Sequence, residues 1–246
     1  MMRLGLIVPF FNHEHAIRHT VAALKVHGYE CWLVDDGSDA RCAPVLDEIA
    51  ANEASWLTLI RCPVNQGKGI AVLTGFRAAH AAGATHALQI DADGQHDFAA
   101  IPQIADLARA HPAAIITGVP VFDASAPAAR RIGRKFTTLW VRINTLSTAI
   151  EDAMCGFRVY PLDAIVKLAA RASFGSRMEF DPEILVRAVW AGIPLVSMPT
   201  QVTYPIDGVS HFKMWGDNVR ISWMHTRLFF GMLWRLPALL SRNLRP

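Results

Sequence analysis

Residues 88–97 read Leu88-Gln89-Ile90-Asp91-Ala92-Asp93-Gly94-Gln95-His96-Asp97. A short apolar run ends in two carboxylates two positions apart, with a glycine and an amide directly behind them. That is the pattern of a buried strand delivering a polar end to one edge of a sheet. In open α/β sheets, ligands bind beyond the carboxyl ends of the strands. A hard, oxygen-rich cluster emerging there suits a divalent cation that holds a phosphorylated ligand. If strand geometry continues through Ala92, Asp91 and Asp93 share a face. A sharp turn at Gly94 then brings the Gln95 amide oxygen back toward the same ion. Taken alone, Asp-x-Asp-Gly is equally an ordinary solvated turn, so its surroundings decide.

Working outward, the same grammar repeats. Residues 4–10 form an apolar run closed by Phe11-Asn12-His13, and a helical pattern follows over about 14–27. A second run at 29–34 ends in Asp35-Asp36-Gly37-Ser38-Asp39 and leads into a helix to about residue 53. A third, at 57–62, ends in Asn65-Gln66-Gly67-Lys68-Gly69 before a helix over 70–82. With a helix near 98–110 and a fifth strand at 113–117, strands alternate with helices, which predicts a parallel sheet flanked by helices and polar turns gathered on one edge. Those turns complement one another. Asp35 or Asp36 can accept from a base or a ribose, and Gly67-Lys68-Gly69 offers flexible backbone, a point charge and a helix N-terminus to phosphate.

Composition narrows the class. The 246 residues, 52% hydrophobic, can bury one large core. The pattern suggests a domain over 1–207 and a C-terminal appendage over 208–246. A net charge of +3 with no massed basic run argues against nucleic acid as a partner. Cys31, Cys42, Cys62 and Cys155 form no C-x-x-C pair, which points to reduced thiols in a cytosolic setting rather than zinc or disulfides. Met1 runs straight into the first apolar stretch without a basic n-region, so that stretch reads as a strand and not a signal peptide.

The motifs resemble those of the inverting nucleotide-sugar glycosyltransferases of family two, which have the GT-A fold, an α/β architecture with a Rossmann-like nucleotide-binding sheet flanked by helices. The matching residues are Pro9-Phe10-Phe11-Asn12, Val34-Asp35-Asp36-Gly37-Ser38, Asn65 to Gly69 with Gly75-Phe76, and Asp91 to Gln95. Asp152-Ala153-Met154-Cys155-Gly156-Phe157-Arg158, followed by Tyr160, is similar to a stretch of the dolichyl- and polyprenyl-phosphate sugar synthases. The resemblance implies donor contacts from Pro9, Asn12, Asp35, Asp36, Lys68 and Asp91. It also implies Mg²⁺ or Mn²⁺ on Asp91, Asp93 and Gln95, with Asp152 and, behind it, Glu179 as catalytic carboxylates.

Arg130, Arg131, Arg134 and Lys135 form a basic cluster that can take an anionic acceptor by charge-assisted hydrogen bonds, with Arg158 on the same side. The family's glycine-rich, Arg-containing stretch after the fifth strand is replaced here by Gly118-Val119-Pro120-Val121-Phe122-Asp123. The acceptor is therefore left open between a polyprenyl phosphate and a glycolipid hydroxyl, and only the hydroxyl needs a base. Met178 to Glu183 opens a further helix, with Asp181 suited to the N-cap and Pro182 to the first helical position.

In the tail, Lys213, Arg220, Arg227, Arg235 and Arg242 recur at intervals of seven or eight, one sector of roughly 80° on a helix rich in Trp, Phe and Leu. No charge-free run there reaches the ~20 residues of a membrane span. Such a helix lies in a membrane interface, or packs on the protein or on a second subunit of a homo-oligomer. The expected activity is hexosyl transfer from a nucleotide diphosphate sugar to a membrane-associated acceptor, on the cytoplasmic face. The competing readings are a non-catalytic nucleotide-sugar-binding scaffold, which should have lost metal ligands, and a nucleotidyltransferase, which should carry a basic Gly-rich loop after the first strand.

Overall fold

The computed structural model describes residues 1–122, 128–203 and 214–243. Seven strands form one sheet in the order β3-β2-β1-β4-β6-β5-β7. They are β1 (Leu4–Phe10), β2 (Glu30–Asp35), β3 (Leu57–Arg61), β4 (His86–Gln89), β5 (Ile115–Phe122), β6 (Arg158–Pro161) and β7 (Leu195–Val202). The helices are α1 (Ile17–Lys25), α2 (Ala43–Asn52), α3 (Lys68–Ala81), α4 (Ile101–Ala110), α5 (Ala128–Thr145), α6 (Leu162–Arg171), α7 (Phe180–Trp190) and α8 (Met214–Asn243).

The expected parallel sheet is a mixed one. β1 to β4 are mutually parallel and β5 is parallel to β7, but β6 is antiparallel to both β4 and β5. The inserted strand is central, so all four of its side chains are buried, Arg158 included. Its reversal carries the preceding segment, 152–157, across the edge where β4 ends.

Side chains alternate between two cores, as a pleated sheet covered on both faces requires. Leu6, Val8 and Leu33 point toward α1, α2 and α4. Ile7 and Trp32 point toward Phe76, Tyr160, Phe180 and Ile184 on the other face. Gly75 lets α3 lie close against β1, because a Cβ there would run into the Ile7 side chain. α8 is part of this second layer, with Ile221, Met224 and Leu228 buried in the same core as Ile7 and Phe180.

The basic stripe of α8 runs along the margin of its buried face. Arg220 pairs with Asp217 at 3.2 Å, Arg227 with the fully buried Glu183 at 3.3 Å, and Arg235 lies 4.6 Å over the Trp190 ring. Lys213 and the Arg242 side chain lie outside the described residues. Among Asn218, Arg220, Ser222, Thr226 and Arg235, the solvent side of α8 also presents large apolar side chains: Trp215, Val219, Trp223, Phe230 and Trp234. No helix among the described residues is long and apolar enough to cross a membrane.

Candidate active site

β4 stops at Gln89, before the carboxylates, so Asp91 and Asp93 sit in a turn and not on a continuing strand. The turn is anchored by the hydroxyl of Thr20, which donates to the Ala92 carbonyl at 3.1 Å. Gly94 adopts the expected left-handed conformation, φ +71°. The Gln95 amide N–H then donates to Asp93 Oδ1 at 3.1 Å. Asp91, Asp93, Gln95 and His96 line a small cavity of about 60 Å³, closed by Pro120, Arg134, Met154, Cys155, Gly156 and Val202. Gly156 is required here, because a Cβ would strike the Asp91 carboxylate.

The two carboxylates differ electrostatically. Burial works against ionising Asp91, but Lys68 and His96 hold its carboxyl below the usual range. Lys68 Nζ lies 2.7 and 3.0 Å from its two oxygens, and His96 Nε2 3.8 Å away. Asp93 is pushed up by burial and then by the Asp91 anion beside it. A buried carboxylate short of positive charge next to an ionised one is what a divalent cation relieves. Among the described residues, no three His, Cys, Asp or Glu side chains converge into a metal cage. Two carboxylates with open positions nevertheless fit a Mg²⁺-type ion, which binds one or two carboxylates and takes its remaining oxygens from phosphates and water.

The Asp35-Asp36 turn is built differently. Asp36 accepts from Asn65 Nδ2 at 2.9 Å and from the backbone N–H groups of Gln66 and Gly67 at 2.8 and 2.7 Å. Oδ2 takes two of these bonds and Oδ1 one, so Asp36, expected at the nucleoside, also shapes the 65–67 loop. Burial raises its pKa, with the two backbone bonds opposing. Asp35 accepts from Ser38 N–H at 3.0 Å. Asn12, at φ +53°, donates to Asp39 Oδ2 and accepts from the Asp39 N–H, and Pro9 sits in β1 opposite Val34 of β2.

Lys68, expected at the donor phosphates, is seated between Asp91 and Asp181, 2.8 Å from Asp181 Oδ2. Burial opposes its charge, but Asp181 and Asp91 raise its pKa above the ordinary lysine value. Asp181 is not the N-cap. That position belongs to Glu179, and Pro182 sits within the first turn, where a missing N–H costs nothing. Asp181 instead accepts from Gln89 Nε2 at 3.0 Å, from 92 residues away in sequence. Only this tertiary pairing identifies it, and the local Asp-Pro signature pointed elsewhere. His96 was also missed, although it closes the same turn as Gln95.

Asp152 and Arg134, expected on the acceptor side, meet as a bidentate pair, with Nη2 to Oδ1 at 2.7 Å and Nε to Oδ2 at 3.0 Å. Asp152 Oδ1 also accepts from the N–H groups of Met154 and Cys155. Oδ1 therefore takes three bonds and Oδ2 one, and the pair fixes the orientation of the arginine. Arg131 is exposed one turn back on α5, and the Arg130 side chain lies outside the described residues. Arg158, expected at the acceptor, is fully buried and donates to Thr117 Oγ1, the Tyr160 hydroxyl and the Asp181 carbonyl. It braces β6 internally. Glu179 is buried as well, and among the described residues its Oε2 has no hydrogen-bond partner.

The site is thus a two-carboxylate turn at the end of β4 in a mixed α/β sheet, faced by Gly156 from the segment that leads into the reversed β6. Residues 6–166 match the model of glycosyl transferase family 2, and the chain belongs to that family. It is 29% identical over 180 residues to an undecaprenyl-phosphate 4-deoxy-4-formamido-L-arabinose transferase of Pseudomonas fluorescens, covering 70% of this chain and 51% of the relative. The chain thus spans about half the length of that relative. To a polyprenol monophosphomannose synthase of Mycolicibacterium smegmatis it is 26% identical over 226 residues, covering 89% of this chain and 83% of the relative. The fold is shared with a glucosyl-3-phosphoglycerate synthase from Mycobacterium tuberculosis, solved with Mn²⁺, uridine-diphosphate and glucosyl-3-phosphoglycerate. The TM-score there is 0.64 at 13% identity, over 94% of this chain and 78% of that one.

Proposed function

We propose that this chain transfers a hexosyl group, with inversion, from a nucleotide diphosphate sugar to the phosphate oxygen of a polyprenyl phosphate. The observation that carries the choice of acceptor is the Arg134–Asp152 pair at the rim of the carboxylate cavity. A hydroxyl acceptor needs a free base, and Asp152 is held in a bidentate pair with Arg134, its Oδ1 also accepting from the Met154 and Cys155 N–H groups, an environment that keeps it a weak base. A phosphate is already anionic and needs only to be positioned. Arg134, held at a fixed angle by Asp152, supplies that positioning, with Arg131 outside it.

In the reaction, an acceptor oxygen attacks the anomeric carbon as the bond to the diphosphate breaks, and the electron pair leaves with the diphosphate. No proton has to be removed. Asp91 and Asp93, with Gln95 beside them, would hold a Mg²⁺ or Mn²⁺ ion that supplies positive charge to the leaving group. The wall formed by Met154, Cys155 and Gly156 restricts water around the reacting centre.

Both likenesses to prenyl-phosphate sugar transferases support this reading. So does the apolar surface next to the site, which suits peripheral attachment to the cytoplasmic face of a membrane. α5 carries Arg134 inward and Ile132, Phe136 and Leu139 outward, while the outer side of α8 adds Trp215, Val219, Trp223, Phe230 and Trp234. The test is direct. The chain is incubated with Mn²⁺, a panel of nucleotide diphosphate sugars and a polyprenyl phosphate in detergent, and lipid products are read by mass spectrometry. A glycosylated lipid phosphate of inverted anomeric configuration is expected. Transfer to a lipid hydroxyl alone, or donor hydrolysis without transfer, overturns the proposal.

A further inference from the structure

Lys68 has two carboxylate partners that are not alike. Asp181 is fixed, with its side chain only 6% exposed, one oxygen taken by Gln89 Nε2 and the other by Lys68 Nζ. Gln89 itself is fully buried in β4, and the Arg158 guanidinium lies 4.0 Å from the same carboxylate. Asp91 is 25% exposed and opens onto the cavity that holds Asp93. An ammonium has three donors and needs at least one anion when buried. Lys68, whose side chain is 16% exposed, therefore sits between one permanent and one removable counter-charge.

We infer that Asp181 is a positioning residue for cation binding: it keeps Lys68 paired, so that Asp91 can be given up to a divalent ion without stranding a buried ammonium. This rests on the assignment of Asp91 and Asp93 as cation ligands made above. Removing the Asp181 charge leaves Asp91 as the sole counter-ion of Lys68, and the incoming ion must then compete with Lys68 for it. With Lys68 also removed, Asp181 keeps, among the described residues, only Gln89 and the more distant Arg158, neither of which pairs with Asp91, and its effect on the ion should largely vanish. A bracing role for Asp181 in the fold would not disappear in that way.

The experiment titrates Mn²⁺ alone into the full chain and follows free ion by electron paramagnetic resonance, a readout independent of turnover. Relative to wild type, Asp181→Asn is expected to raise the Mn²⁺ dissociation constant at least tenfold. Lys68→Met is expected to lower it. The double variant Lys68→Met/Asp181→Asn is expected to match Lys68→Met within about twofold. Where Asp181→Asn alone fails to fold, the comparison of Lys68→Met with the double variant decides. An Asp181→Asn affinity within twofold of wild type, or a double variant weaker than Lys68→Met by tenfold, overturns the inference. Failure of the cation assignment itself looks different: wild type and Asp93→Ala would then bind Mn²⁺ equally weakly, and both readings fall.

Discussion

The two aspartate turns, Asp35-Asp36 and Asp91 to Asp93, look alike in sequence and do opposite work. Asp36 is filled by three donors of the 65–67 loop and acts as a peg around which a neighbouring turn is shaped. Asp91 and Asp93 accept few bonds from their own backbone, and Asp91 faces Lys68 and His96. A carboxylate that already has its complement of N–H donors is structural, whereas one left short of positive charge at a cavity is available for a ligand. Spacing in the sequence does not separate these cases; the donors that reach each oxygen do.

The sharpest way to break the comparison is Asp93→Ala. Nucleotide diphosphate affinity measured by calorimetry with Mn²⁺ should fall by at least about a hundredfold, to the ion-free value, as expected for loss of a direct ligand. The melting temperature without metal should hold or rise. Asp152→Asn addresses a third carboxylate, spent on Arg134. Acceptor kcat/KM should drop by about a hundredfold, the size of one lost charged hydrogen bond, while donor affinity stays unchanged in the same calorimeter. Turnover at the wild-type rate would remove Asp152 from any part in the site.

A smaller effect is expected from Asp36→Ala, and it should be on stability first. Three donors lose their acceptor, which costs about 2 kcal/mol in a urea titration, and donor affinity should weaken with or without metal. Metal-dependent loss there, without destabilisation, would place Asp36 with Asp93 and dissolve the contrast.

The smallest effect concerns pH. Burial and the Asp91 anion raise Asp93, so the folded chain holds that proton more tightly than the unfolded chain does. As pH rises from the unfolded value of 3.8 through the raised one, Asp93 therefore takes stability away from the ion-free protein. A cation reverses this penalty only once the group is ionised. The thermal shift produced by Mn²⁺ should accordingly grow with pH across that window and fade at its acid end. A shift independent of pH would mean that Asp93 is not a ligand.

Much of the first half was legible because its strands are apolar runs ending in polar turns, three of them with a glycine (Gly37, Gly67 and Gly94). The acceptor half hid its logic. β6 is only four residues long, Arg158 to Pro161, with no alternation to signal a reversed central strand. Arg158 reads as a surface cation and is fully buried. Asp181 reads as a helix cap because Pro182 follows it, while its partners Gln89 and Lys68 come from β4 and the start of α3. The regular intervals of Arg220, Arg227 and Arg235 correctly marked one helical sector but not which way it faces. Arg227 and Arg235 find Glu183 and Trp190 of α7, while Arg220 pairs with Asp217 of α8 itself.

The reversed strand also sets an order of assembly. β5 is synthesised before β6, yet β6 lies between it and β4 in the sheet. As the chain leaves the ribosome, β1 to β4 can pair with one another while the outer edge of β4 stays open, because its neighbour Arg158–Pro161 is still unmade. β5 must wait, unpaired with that edge, for a strand some 36 residues downstream of its own end. An exposed strand edge is a template for wrong partners, and pairings this distant in sequence are slow to form. Nascent chains ending between residues 122 and 158 should therefore be the most prone to misassociate.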